Sequence, residues 1–187
     1  MIYQKFNDPW EYHMFDNFVE PEMYNNILSL IRSKPSARER QVDDAGRTSV
    51  IIDFDHELAS IAKDTIPQLQ EACKLMNFDT TADTGVMYEI NICPPGYVYP
   101  IHIDAPWKLC TFVWYLSEYG DGTHVYTSNN ASDYVGEMEW KPNRVVTFTP
   151  EGGTYHSYGN TKNVERITLN IILYDRKTHE EHLLKNK

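Results

Sequence analysis

The sequence predicts an α+β, mainly β protein in which N-terminal helices buttress one side of a β-sandwich or barrel. Three observations carry this. Apolar residues recur at helical spacing in the first 84 positions. From about residue 85 the period falls to two. The strand-like runs are short and are separated by turns carrying Gly, Pro or Asn.

Taken in order, "EPEMYNNILSLIRS" places Met23, Tyr24, Ile27, Leu28 and Ile31 on one helical face, with Pro21 in the first turn. "KPSARERQVDDAGR" is charged and aperiodic and reads as a mobile loop. "HELASIAKDTIPQLQEACKLMNF" reads as one or two helices, with Leu58, Ile61, Ala62, Leu69, Ala72, Leu75 and Met76 as the stripe and Pro67 as a kink or a break. "GVMYEINIC" is a strand ended by "PPG". "LCTFVWYLSE" alternates Thr111, Val113 and Tyr115 on one face with Phe112, Trp114 and Leu116 on the other. After the turn "GDG", "THVYTS" is a short strand, and "YVGEMEWKPNRVVTFTP" gives two more around Pro142-Asn143. "EGGT" is a turn, followed by "YHSYGN". "ERITLNIILYD" sets Ile167, Leu169, Ile171 and Leu173 against a polar face of Arg166, Thr168 and Asn170, which by itself reads as solvent-facing. The tail "KTHEEHLLKNK" is charged and either frays or forms a short surface helix.

A chain of 187 residues, 41% hydrophobic and 13% aromatic, can bury a core of its own. It reads as one domain, with a helical support region and charged loop over 1–84, a strand-rich core over 85–175 and a charged tail over 176–187. The net charge of −10 argues against a broad nucleic-acid or anionic-membrane surface. Three cysteines with no CxxC fit a reducing interior better than a disulfide scaffold. No basic segment followed by an apolar run opens the chain, and no apolar stretch nears 18 residues, so the expectation is a soluble cytoplasmic protein without signal peptide or membrane span.

Among seven histidines, His102 and Asp104 stand two positions apart, a spacing that in a strand directs both to one face. A third ligand is needed. His156 follows a Gly-Gly turn between two strands and is the stronger candidate; His124, just after "GDGT", competes with it. Two imidazoles and a carboxylate suit non-haem Fe(II) with open positions, whereas structural zinc would want a fourth protein ligand. Arg166, ten residues past His156, has room to return alongside it and bind a carboxylate through two parallel hydrogen bonds. Thr168 shares its face and can add a hydroxyl.

These residues resemble the Fe(II)/2-oxoglutarate-dependent oxygenases, in particular the prolyl-4-hydroxylase-like branch, over roughly residues 85–174. The resemblance rests on His102-Ile103-Asp104, on His156, and on a basic residue nine or ten positions beyond it, Arg166. "WYLSE", "GDGTHVY" and the opening "FDNFVEPEMYNNILSLIRS" add to it. It implies a double-stranded β-helix (jelly-roll or cupin-like) catalytic core with N-terminal support helices. It implies Fe(II) held by His102, Asp104 and His156, with 2-oxoglutarate as cosubstrate and O₂ as oxidant. Arg166 would bind the far carboxylate of 2-oxoglutarate, helped by Thr168 and Tyr115, with Thr111 lining the same cavity. Relatives carry a tyrosine where "NICPPG" has Cys93, which otherwise reads as a small buried residue.

The implied reaction hydroxylates a C–H bond of a peptidyl or amino-acid substrate, releasing succinate and CO₂. Trp107 and Lys108 are expected to border the site mouth, and Tyr126 and Tyr134 to add aromatic surface. Arg38, Arg40 and Arg47 of the charged loop either meet an acidic substrate or are simply solvated. The rival readings are a non-catalytic metal-binding module of the same fold and a cupin-type metal enzyme that does not use 2-oxoglutarate.

Overall fold

The computed structural model describes residues 1–38, 40, 42–53, 55–150 and 153–185. Glu39 and Gln41 of the charged loop, Glu151 and Gly152 of the expected turn, and the last two residues of the tail lie outside the described residues. Among the described residues the eleven strands are β1 (Ile2–Phe6), β2 (Tyr12–Asp16), β3 (Thr48–Ile51), β4 (Thr84–Cys93), β5 (Val98–His102), β6 (Lys108–Tyr115), β7 (Thr123–Tyr126), β8 (Tyr134–Met138), β9 (Val145–Phe148), β10 (Tyr155–Gly159) and β11 (Arg166–Asp175). The α-helices are α1 (Pro21–Ser33), α2 (Ala59–Leu75) and α3 (Arg176–Lys185).

The strands form a seven-stranded sheet, ordered β1-β2-β9-β6-β11-β4-β3, and a four-stranded sheet, ordered β5-β10-β7-β8. From β4 onward the chain passes back and forth between the two, so that β4, β6, β9 and β11 lie in one and β5, β7, β8 and β10 in the other. All pairings are antiparallel. This is the double-stranded β-helix.

The alternation along β6 decides what packs where. Cys110, Phe112, Trp114 and Leu116 face the larger core, with Ile27, Leu28 and Ile31 of α1 and Ile61, Leu69 and Ala72 of α2. Burying each large apolar side chain contributes ~1.5–3 kcal/mol. On the other face, Tyr115 joins Val146 and Phe148 against Val125 and Met138 of the smaller sheet. The helices therefore cover one face of the large sheet, and the small sheet covers the other.

One expectation is corrected. The N-terminal region is not only helix and loop: β1 and β2 extend one edge of the large sheet and β3 the other. These strands are four or five residues long, too short for a clear period in a polar context. Of the one or two helices expected around Pro67 there is one, as α2 runs unbroken from Ala59 to Leu75. Pro67 and Lys63 are both exposed, so the carbonyl left without an N–H partner reaches water. Pro21 does stand in the first turn of α1.

The turn that carries the chain from β4 into β5 is tied from a distance. Gly96 takes a positive φ of 80°, and its N–H donates to the Asn160 carbonyl at 2.7 Å. Asn160 in turn donates its side-chain amide to the Cys93 carbonyl at 3.0 Å. The tail forms α3, whose His179, His182 and Leu183 reach the cavity described next. No helix among the described residues is long and apolar enough to cross a membrane.

Candidate metal centre

His102 is the last residue of β5, and Asp104 follows just past the strand end. His156 lies on β10 directly opposite His102, and their ring centroids are 4.2 Å apart. Ligand atoms of His102, Asp104 and His156 all lie within 4.8 Å of one another, the one such group of three His, Cys, Asp or Glu among the described residues. His124 is not part of it. It sits on β7 with Nε2 4.0 Å from Glu137 and its ring against Tyr134.

Both imidazoles are pre-set to ligate. His102 Nδ1 lies 3.0 Å from the Pro100 carbonyl and His156 Nδ1 2.9 Å from the Thr154 carbonyl. A carbonyl accepts only, so each Nδ1 carries the proton and each Nε2 offers its lone pair to the cluster. Burial pushes the His156 imidazolium down to about 4, with the Asp104 charge opposing, and burial lowers His102 as well. Burial by itself would raise the Asp104 carboxyl, but the Lys108 ammonium and hydrogen bonds from Lys108 and Thr111 bring it below its usual range. Lys108 Nζ donates to Oδ1 at 2.6 Å and Thr111 Oγ1 donates to Oδ2 at 2.5 Å. The donor set is thus neutral, neutral and anionic at pH 7, as a divalent cation requires.

The cluster opens into a cavity of about 620 Å³ between the sheets. The polar face of β11, which by itself reads as solvent-facing, is one of its walls: Arg166, Thr168 and Asn170 all line it. Arg166 is 1% exposed. Its Nε donates to the Asp121 carbonyl at 2.9 Å, while Nη2 has no hydrogen-bond partner. Its guanidinium lies 4.8 Å from the Tyr158 ring, 5.1 Å from Trp140 and 5.7 Å from Tyr115. Among the described residues no acidic side chain lies within ion-pair distance of it. A buried cation without an anion is costly, so this one is poised for an anionic ligand.

Of the other expected residues, Thr111, Trp107 and Lys108 line the cavity, whereas Tyr115 and Tyr126 do not. Tyr115 is fully buried; its hydroxyl donates to the Met138 carbonyl at 3.1 Å and pairs with Thr123 Oγ1 at 2.9 Å. It acts as a ring beside Arg166, because β6 carries it past the cavity into the packing between the sheets. The Tyr126 hydroxyl pairs with Ser157 at 3.0 Å and its ring with Tyr134. Of the loop arginines, Arg38 is bound to Glu165 at 2.6 and 2.7 Å, and only Arg47 reaches the cavity. Cys93 lies buried opposite Arg166.

Sequence reasoning misses Tyr158, Glu89, Asn91, Phe148 and Ile172 on the cavity wall. Tyr158 stacks on Tyr99 at 4.9 Å and accepts from Arg47 at 2.9 Å. The available signal was the register of polar positions on β4, where Glu89 and Asn91 alternate with apolar Ile90 and Ile92.

Neither protein-family models nor curated proteins match the sequence. Solved structures do. A prolyl-4-hydroxylase from Pseudomonas putida matches with a TM-score of 0.67 at 19% identity, covering 88% of this chain and 92% of the other. An oxidoreductase of the 2OG-Fe(II) oxygenase family from Burkholderia pseudomallei gives 0.67 at 16% identity, covering 88% and 87%. A Trichoplax adhaerens prolyl hydroxylase, solved with a hypoxia inducible factor peptide fragment, gives 0.61 at 20% identity, covering 89% and 84%. At these identities the likeness establishes the fold.

Proposed function

We propose that the protein is an Fe(II)- and 2-oxoglutarate-dependent dioxygenase that hydroxylates a C–H bond of a peptidyl or amino-acid substrate. The observation that carries this is Arg166, a buried guanidinium with a free Nη2, on the wall of the cavity that holds the His102, Asp104 and His156 cluster. A simple metal-binding module or a cupin-type enzyme without 2-oxoglutarate has no use for such a clamp. The fold shared with prolyl hydroxylases and a 2OG-Fe(II) oxygenase family protein supports the same reading.

His102, Asp104 and His156 would hold Fe(II), leaving positions for cosubstrate and O₂. The bound metal would supply oxidative decarboxylation of 2-oxoglutarate to succinate and CO₂, with one oxygen atom of O₂ in succinate and the other inserted into the substrate C–H bond. The chain's own residues do the rest. Arg166 and Thr168 fix the far carboxylate of 2-oxoglutarate and hence its orientation. Thr111 holds Asp104 by its Oδ2. Pro100 and Thr154 carbonyls hold the imidazole rings. The apolar walls Val113, Phe148 and Ile172 limit water at the reacting atoms. The three cysteines are free and buried, which supports a reducing, cytoplasmic setting.

The test is anaerobic. Fe(II) and then 2-oxoglutarate are added to the apo protein, and a weak visible metal-to-ligand charge-transfer band is expected. No band with Fe(II) demonstrably bound would overturn the assignment.

A further inference from the structure

We propose that the β4–β11 wall of the cavity clamps the zwitterionic head of a free α-amino acid with an uncharged side chain. This rests on the oxygenase reading of the metal centre and narrows its substrate.

The β4–β11 ladder sets Glu89 opposite Asn170 and Asn91 opposite Thr168, all four on the cavity wall. Their polar atoms divide by sign. At one end are donors. Asn91 is 2% exposed; its Oδ1 accepts from Arg47 Nη1 at 3.3 Å, and its Nδ2 has no partner. The Arg47 guanidinium is held there by Asp43 at 3.3 Å, by the Tyr158 hydroxyl at 2.9 Å and by the Tyr99 ring at 4.9 Å. At the other end are acceptors. Among the described residues, Glu89 takes hydrogen bonds only from neutral groups, Ser49 Oγ at 2.5 Å and Asn170 Nδ2 at 3.4 Å. No described Lys, Arg or His pairs with it. Asn170 Oδ1 is buried without a partner.

Glu89 and Asn91 are two residues apart on one strand face, which separates them by ~6.8 Å. A carboxylate and an ammonium on one carbon, each making hydrogen bonds of ~2.8 Å, fit between such partners. The carboxylate goes to Asn91 Nδ2 and Arg47, the ammonium to Glu89 and Asn170 Oδ1. Val113 lies opposite Asn170, and Ile172 opposite Thr111, which is bonded to Asp104. Both apolar residues line the cavity, so the path from clamp to metal cluster admits an uncharged side chain. A residue inside a peptide carries neither charge and would leave the donor and acceptor ends unmatched.

The test is ligand-detected saturation-transfer NMR on zinc-loaded protein with 2-oxoglutarate, in which no turnover occurs. The probes are free L-alanine, valine, leucine, isoleucine, proline, methionine, phenylalanine and threonine, each beside its N-acetyl methylamide. At least one free amino acid should bind and its blocked form should not. Glu89→Gln and Asn91→Leu should each weaken that binding at least tenfold, while the thermal shift produced by 2-oxoglutarate persists and reports a folded site. Equal binding of blocked forms would assign the cavity to peptides, and no binding by any free amino acid, or unchanged binding in both variants, would equally overturn the proposal. Absence of the 2-oxoglutarate shift in the wild type would instead strike the oxygenase reading.

Discussion

Replacing Arg166 by methionine tests the clamp in two directions at once. The side chain is 1% exposed and carries a charge with no anionic partner among the described residues, and its Nε donates a hydrogen bond to the Asp121 carbonyl. Methionine removes that bond, worth about 1.5–3 kcal/mol for a charged donor. It also removes the cost of a lone buried cation, which is of comparable size. The apo variant should therefore melt within a few degrees of the wild type. Ligand binding should respond very differently. Truncating one partner of a buried, hydrogen-bonded charge pair costs about 2–5 kcal/mol, a loss of roughly 30-fold to a few thousand-fold in 2-oxoglutarate affinity. At a concentration one hundred times the wild-type Kd, 2-oxoglutarate stabilises the wild type by about 2.7 kcal/mol. Even a 30-fold loss leaves about 0.9 kcal/mol at that concentration. In a protein of this size each kcal/mol moves Tm by about 2–4 °C, so a shift of roughly 5–11 °C should shrink to about 3.5 °C or less. Differential scanning fluorimetry with zinc and a 2-oxoglutarate titration reads both quantities. A variant that keeps the full ligand-induced shift would refute the role given to Arg166.

Other perturbations probe other links. Asp104→Ala removes the anionic ligand and leaves Lys108 beside two imidazoles; metal affinity, measured by calorimetric titration, should fall by more than about 100-fold, the upper range for losing a mere supporting contact. Retained affinity would place the metal elsewhere. In the metal-free protein, His156 is held at about 4 against ~6.5 unfolded. A lowered folded pKa means the unfolded chain binds more protons, so this stability is present above pH 6.5 and is lost as pH falls toward 4. The loss totals about 3 kcal/mol, and His13, also lowered by burial, acts in the same direction. Urea melts at pH 7.5 and 5 should show about 2 kcal/mol of it; His156→Gln should flatten the difference. Gly122 has no room for a side chain, since a Cβ there would lie 2.0 Å from the Met138 carbonyl oxygen on β8. Gly122→Ala should cost about 1–3 kcal/mol or more by overpacking, read as a lower urea midpoint; an unchanged midpoint would mean that β7 and β8 separate freely.

Much of the fold was legible because it is written in local periodicity. The alternation of Phe112, Trp114 and Leu116 against Thr111, Val113 and Tyr115 is a property of the chain, and the two cores divide along it. The helical stripes of α1 and α2 are of the same kind. Strands β1, β2 and β3 were not legible, because four or five residues in a polar context show no period and take their partners from the sheet edges. The metal cluster was half legible. His102 and Asp104 are close because the chain makes them so, whereas the preference for His156 over His124 becomes geometry only through the β5–β10 pairing.

What the sequence determined by itself was which residues share a face, since a strand has a period of two whatever lies above it. What only the tertiary structure decided was what each face looks at. Arg166, Thr168 and Asn170 could face water or a cavity, and the second sheet makes it a cavity. Tyr115 shares the face of Thr111, yet its hydroxyl is consumed by Thr123 and Met138 from the small sheet. Arg47 is one loop arginine among three until Asp43, Asn91 and Tyr158 hold it over the cavity. In each case the deciding contacts come from residues distant in sequence, and no local pattern carries information about them.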